Sequence, residues 1–238
     1  MVINTLYLIM LKLKTTLLSL CFCCFYYCAM AQITDKAVLK NCNKKYKQYI
    51  PKAYEIIDTI MGDYNNVAMQ DVLLVLQKLN TIDSVGSDNR AILILQKTKD
   101  SYVKNILSLN ALLCYTCGGI FGNPYSGIRF TNNVLKINHY GGSADRWGYE
   151  HTFRYQNNAW ELIGISNIAY RTYGNCEEVT SNEYNKQEVN FSTKKMHLVE
   201  TKSGECKPSK DVWKTVTKLP KVTLANFDIT TDYFELIQ

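Results

Sequence analysis

Between Trp147 and Tyr170 the chain spells out a hairpin. Tyr149, His151, Phe153 and Tyr155 alternate with Glu150, Thr152, Arg154 and Gln156. A period of two puts the first set on one face of a strand and the second on the other, so one face can pack while the other stays wet. Asn157-Asn158 interrupts the alternation before a second run, AWELIGISNIAY. Asparagine tolerates the positive φ that tight hairpin turns demand. The segment therefore predicts two antiparallel strands with their bend at 157–158.

The same pattern recurs along the chain. SGIRFTNNVLKINHYG (126–141) reads as strand, turn and strand, bending at Asn132-Asn133, and GGSADR (141–146) is a second turn. Residues 177–202 form another hairpin, turning near Ser192-Thr193-Lys194. VWKTVTKLPKVTLANF (212–227) is a late strand, and Pro220 within it marks an edge. Upstream, residues 53–60, 71–79, 90–97 and 101–109 read as strands, and the continuous apolar run DVLLVLQKL (71–79) is typical of a buried one. Val, Ile, Tyr and Thr dominate the second half, which favours strands. Residues 34–49 differ. Ala37, Val38, Cys42 and Tyr46 lie at helical spacing, Thr34 or Asp35 offers a cap, and Pro51 ends the segment. The expected fold is mainly β with a minor α part: antiparallel hairpins in a meander, with one N-terminal helix. Residues 32–238 are read as a single domain, with a cut near residue 112 as the alternative.

Residues 1–31 read as a secretory signal peptide. Lys12 and Lys14 form a basic start, Thr15–Cys28 carries no charge, and Ala29-Met30-Ala31 is a small-residue cleavage site. Met10 is an alternative start. A membrane anchor is the competing reading, but the run ends in small residues without a basic flank. Neither Cys21 after Leu20 nor Cys28 after Tyr27 suits lipidation. The expected location is the periplasm or the cell exterior, with no stable membrane insertion after cleavage. Removing the segment leaves a mild positive excess spread along the chain. Its densest cluster, Lys44, Lys45 and Lys47, reads as a solvated helix face, and nucleic acid is not an expected partner.

Five of the nine cysteines lie beyond the signal segment: Cys42, Cys114, Cys117, Cys176 and Cys206. In an exported chain these are disulfide candidates. Cys176 and Cys206 flank the 177–202 hairpin and are expected to pair. Cys114-Tyr115-Thr116-Cys117 is a C-x-x-C, but Gly118-Gly119 and Asn123-Pro124 follow it, which argues against the helix start of a redox enzyme. A disulfide within the pair, or from either member to Cys42, is the expectation. The odd count leaves one cysteine over.

Two resemblances add to this reading. Gly62 to Asp71, followed by VLLVL, resembles the calcium-type loop D-x-[DN]-x-D-G-x-x-D of integrin-like (FG-GAP) propeller repeats. Asp63, Asn65 and Asp71 match its ligand positions; Val67 stands where an acid belongs and Ala68 where glycine belongs. A hard cation wants several oxygens on one tight turn, so the loss of an acid removes a ligand. The alternative is a turn whose Asp and Asn cap backbone groups. No cofactor is expected, and calcium is the one ion the sequence suggests. Residues 50–170, most recognisably VLKINHYGGS and RWGYEHTFRYQNNAWELIG, are similar to a group of uncharacterised exported β-rich proteins of Gram-negative bacteria, particularly Bacteroidetes. That resemblance implies secretion and a β-rich fold and assigns no activity.

No catalytic constellation stands out. His139, His151 and His197 lie near no nucleophile elbow, and spacing selects no pair among Glu150, Glu161, Glu177 and Glu178. Arg146 and Trp147, in a loop-and-strand start, are interaction candidates, because Arg and Trp are enriched at binding hot spots. The sequence points to an exported, non-catalytic β-rich module that binds a protein or envelope component. The alternatives are a secreted hydrolase of cell-wall or glycan material and a calcium-stabilised structural domain.

Overall fold

The computed structural model describes residues 36–79, 88–131, 133–178 and 182–237. The expected signal peptide (1–31), the expected cap residues Thr34 and Asp35, and Asn132 lie outside the described residues. The chain divides into two compact units, Met1–Lys45 and Tyr46–Gln238. Helix α1 (Lys36–Tyr46) occupies the described part of the first unit and ends on the first residue of the second. It stops at Tyr46, ahead of the 49 expected. Lys44 and Lys45 in its last turn are exposed, as is Lys47 beyond it, which is the solvated face read from the sequence.

The second unit is an antiparallel meander in two sheets. β1 (Tyr54–Gly62), β2 (Asp71–Lys78), β3 (Arg90–Lys97) and β4 (Tyr102–Leu112) pair in chain order. β5 (Tyr125–Thr131), β6 (Val134–Gly142), β7 (Asp145–Gln156), β8 (Ala159–Arg171), β9 (Asn185–Asn190), β10 (Lys195–Glu200) and β11 (Lys210–Thr215) do the same in a seven-stranded sheet. Such an order follows when every connection is a local hairpin, so no strand has to cross over another. The fold is mainly β, with one short helix before the strands.

The turns follow from the residues that occupy them. Gln156 pairs with Ala159, which leaves Asn157 and Asn158 as a two-residue loop with φ of 53° and 59°. Two positive values in succession define the turn type whose twist matches antiparallel strands. Asn133 has φ 60°, and Thr131 pairs with Val134 around it. Lys194 has φ 53° in the 191–194 connection.

The apolar runs of β2 and β3 are buried on both faces, from Val72 to Leu76 and from Ala91 to Leu95. A two-residue period cannot show in such strands, which is why they read as unbroken hydrophobic stretches. Leu73, Val75, Ile92 and Ile94 share one core with Ile128, Leu135, Ile137, Phe153, Trp160, Leu162, Ile165 and Val189 of the larger sheet. The chain passes from one sheet to the other between Leu112 and Tyr125, and a single core takes residues from both.

The late strand is shorter than expected. β11 is the edge of its sheet and stops at Thr215, ahead of Pro220. The remainder, up to Ile237, turns inward as an irregular segment. Val216, Val222, Leu224, Phe227, Ile229 and Tyr233 join the core. Backbone bonds tie the segment to the strands: Leu224 N donates to Trp160 O (2.8 Å), Leu162 N to Val222 O (2.9 Å) and Ile229 N to Asn110 O (2.9 Å). Burial of each such side chain contributes about 1.5–3 kcal/mol, so this tail is a structural part of the core.

Candidate functional site

The two ends of the seven-stranded sheet are built differently. One end carries the tight asparagine turns. The other gathers the segment leading into β5, the β6–β7 turn, the β8–β9 connection (172–184) and the β10–β11 connection (201–209). Loops positioned by a rigid scaffold are where binding groups concentrate.

Near that loop end the inner face of the sheet emerges from under its cover. Cross-strand register sets Ile137, His151 and Ile165 in one row and His139, Tyr149 and Asn167 in the next. Rows of this kind share a face. The first row is core, whereas in the second Tyr149 and Asn167 are half-exposed. Between these residues and the tail Ile229–Phe234 lies a cleft of about 140 Å³, lined by Tyr149, His151, Asn167, Asp232 and Tyr233 among others. Trp147 continues its aromatic floor, with its ring stacked on Tyr149 at 4.8 Å.

Two polar atoms of the lining residues are buried without a hydrogen-bond partner, His151 Nδ1 and Asn167 Oδ1. Such groups cost about 1–3 kcal/mol each when left unsatisfied. Burial pushes the His151 pKa down to about 3, so the ring is neutral at any ordinary pH. It meets Phe227 (4.9 Å) and Tyr233 (6.5 Å) in edge-to-face contacts. Tyr233 in turn accepts a backbone bond from Asp228 N (2.9 Å), which fixes the wall of the cleft.

A second polar cluster lies between the sheets. Arg90 is buried, with Nε donating to Leu113 O (2.8 Å) and Nη2 to Cys114 O (3.5 Å). Its guanidinium stands 5.5 Å from the Tyr125 ring centroid, and Tyr125 Oη donates to Asp58 Oδ2 (2.7 Å). Arg90 Nη1 is buried without a partner. Desolvation lowers the Arg90 pKa to about 10, so it stays charged at neutral pH. His139 Nε2 accepts from Leu113 N (3.3 Å). Burial, helped by His151 and Arg90, lowers the His139 pKa to about 3.

The cysteines divide as two bonds and a free thiol. Cys176 pairs with Cys206, as expected, joining the β8–β9 and β10–β11 connections. Cys114 pairs with Cys117 and leaves Cys42 unbonded. The C-x-x-C turn is docked on the β6–β7 turn through Gly142 N to Gly118 O (2.9 Å) and Ile120 N to Gly142 O (3.2 Å). Two bonds of this kind suit an oxidising compartment.

Arg146 and Trp147 are neighbours in sequence but point to opposite faces of β7. Trp147 lies on the inner face, so close over Gly141 that a Cβ there would meet its ring at 2.4 Å. Arg146 lies on the outer face, 4.0 Å from the Phe121 ring centroid. Phe121 and Tyr140 meet at 5.8 Å, and the Tyr140 and Tyr170 hydroxyls at 2.9 Å.

In the calcium-type loop the carboxylates are occupied by backbone. Asp63 Oδ1 accepts from Val67 N (3.1 Å) and Oδ2 from Ala68 N (2.8 Å). Asp71 is buried and accepts from Lys97 N (2.7 Å) and Tyr64 N (3.1 Å). Asn65 Oδ1 is buried without a partner. Ala68 takes the left-handed conformation (φ 58°) that glycine holds in the motif. Among the described residues, no three His, Cys, Asp or Glu side chains group closely enough to hold a metal ion. The acidic candidates are likewise dispersed in their bonding: Glu150 takes Lys136 (2.6 Å), and Glu161 takes Asn157 (3.1 Å) and Gln156.

Sequence reasoning missed His139, Asn167, Asp232 and Tyr233 as site residues. The alternation around Tyr149 and His151 announced the strand side of the cleft. The tail side had no periodic signal to announce it. No family model, curated protein or solved structure matches this chain.

Proposed function

We propose that the protein is an exported, non-catalytic binding module, which holds a protein or envelope component by a neutral, polar portion seated in the cleft between β7–β8 and the tail. The observation that carries this reading is the pair of unpartnered buried atoms, His151 Nδ1 and Asn167 Oδ1, on residues that line one aromatic-walled hollow. A ligand with hydroxyl or amide groups suits a lining that mixes such polar residues with aromatic rings, and a few placed polar groups among aromatics are what such sites use to fix orientation. The neutral imidazole favours an uncharged ligand group over an ion. Asp232 is the single carboxylate among the cleft-lining residues. Glycoside hydrolysis commonly uses two, one on each side of the bond, which favours binding over cleavage here. Export rests on the signal-like start, and the two disulfides are compatible with it.

The test is a titration of the isotope-labelled chain 32–238 with a peptidoglycan disaccharide-peptide and, separately, with a short neutral peptide, followed by NMR. A saturable shift is expected at Tyr149, Asn167 and 229–234, weakened about tenfold in Asn167→Ala, equivalent to about 1.4 kcal/mol. Shifts elsewhere, or unchanged affinity in Asn167→Ala, would remove the cleft as the site.

A further inference from the structure

We propose that Cys114–Cys117 is a redox-active disulfide that exchanges with cysteine pairs of other polypeptides. Four features of the structure point there. The two cysteines differ in exposure, because Cys114 is 1% exposed whereas Cys117 is an exposed residue. An attacking thiolate therefore reaches Cys117, and Cys114 is the leaving group. The leaving side is prepared for negative charge. The Arg90 guanidinium reaches the Cys114 carbonyl, its Nη1 is buried with no partner, and no ion pair engages it among the described residues. The Thr116 hydroxyl lies 3.6 Å from Cys114 Sγ and can donate to a thiolate there. A nearby cation and a donor favour the thiolate form, and a better leaving thiolate speeds exchange. In helical C-x-x-C sites the helix start supplies that positive field; here a buried arginine stands in its place.

The fourth feature concerns the partner. The same loop exposes Tyr115, Phe121 and Ile120, the last 81% exposed. Three large apolar side chains flanking an accessible sulfur fit a polypeptide that still shows its own apolar side chains beside its cysteines. They have no evident role in the core.

The exchange balances as follows. One thiolate of the partner attacks Cys117 Sγ, the Cys114–Cys117 bond breaks, and its electron pair leaves with Cys114 as thiolate. The partner's second thiolate attacks the partner sulfur of the mixed disulfide and expels Cys117 as thiolate. Cys114 and Cys117 take up the two protons that the partner's thiols released. The partner loses two electrons and becomes a disulfide, and this protein gains them as a dithiol. An external disulfide such as oxidised glutathione restores the starting bond by the reverse exchange.

The experiment uses the chain 32–238 in a Cys42→Ser background, which removes the free thiol. The folded protein is exposed to reduced glutathione, quenched with iodoacetamide and read by mass spectrometry. Cys114 and Cys117 are expected to open roughly 100-fold faster than Cys176 and Cys206; each bond has one exposed cysteine, Cys117 and Cys206, so the difference comes from leaving-group quality. With oxidised glutathione in place of reduced, Cys114→Ser is expected to form a mixed disulfide at Cys117 and release one reduced glutathione, and Cys117→Ser to form none on the buried Cys114. A synthetic two-cysteine peptide should be oxidised stoichiometrically by the wild-type bond. Circular dichroism verifies that each variant is folded; if either serine variant is not, the wild-type opening rates and peptide oxidation decide alone. Opening of Cys114–Cys117 only in denaturant, at the same rate as the other bond, overturns the proposal. Equal adducts in two folded serine variants, or a peptide left reduced, do so as well. Because these readouts do not involve Asn167, they stand or fall separately from the cleft.

Discussion

The two ends of the seven-stranded sheet have the same strands and opposite construction. At one end, Asn133, Asn157 and Asn158 reverse the chain in the fewest residues, each with positive φ. At the other, Cys176–Cys206 joins two long connections, Cys114–Cys117 closes a short turn, and the inner face opens into a cleft beside two neutral buried histidines. Among the described residues, the first end leaves no buried side-chain N or O atom without a partner. The second leaves His139 Nδ1, His151 Nδ1, Asn167 Oδ1, Arg90 Nη1 and Arg146 Nη1 without partners. Natural folds keep such atoms few, and where several gather they mark a place shaped by something other than stability.

Acid should separate the ends most strongly. His139 and His151 have folded pKa values lowered to about 3, against 6.5 in an unfolded chain. Below 6.5 the unfolded chain takes up protons that the fold refuses, so stability is fully present above 6.5 and falls as pH drops toward 3. The slope is about 1.4 kcal/mol per pH unit for each ring, and the two together remove on the order of 4 kcal/mol by pH 5. Urea midpoints at pH 7.5 and pH 5 measure this, and His151→Gln should halve the loss. Hydrogen exchange should quicken first around His139 and His151. If it begins instead at Asn157-Asn158, the contrast between the ends is wrong.

The two disulfides sharpen the contrast within the loop end. Cys176–Cys206 spans 30 residues of separation and Cys114–Cys117 only 3. Loop-closure entropy assigns about 3.5 kcal/mol to the first and about 2 kcal/mol to the second. Replacing each pair by serine should lower the urea midpoint in that ratio. A short bond contributes less by constraint, which fits the exchange role proposed for Cys114–Cys117. If its loss costs as much as that of the long bond, it is a structural staple.

How much of this was legible in the sequence depends on range. The strands, their bends and the Cys176–Cys206 pair follow from period two, asparagine and hairpin proximity, all of which act over a few residues. The 71–79 strand was legible from the opposite signal, an apolar run with no alternation. The loop at Asp63 was legible as a turn, but the role of the Asp71 carboxylate depended on Lys97, at the end of β3. The cleft was half legible. Tyr149 and His151 belong to the written alternation, while Asp232 and Tyr233 sit on a tail whose backbone follows the core surface with no period of its own. Arg90 looked like the start of a strand, because nothing local shows that Tyr125 and Cys114 close over it.

The smallest test lies at the tight end. Asn158 holds φ 59°, a conformation that costs most non-glycine residues about 1–2 kcal/mol and asparagine less. Asn158→Ala should therefore lower stability by about 1 kcal/mol, while Asn158→Gly should leave it within about 0.5 kcal/mol, because glycine enters this region freely. Neither change should alter ligand titration at Asn167 or the opening rate of Cys114–Cys117, since both belong to the other end of the strands. A turn substitution that slows disulfide opening, or weakens binding in the cleft, would show that the ends are coupled through β7 and β8. The tight turns would then set the register on which the cleft depends, because a slip of one residue at 157–158 moves Tyr149 and His151 to the outer face.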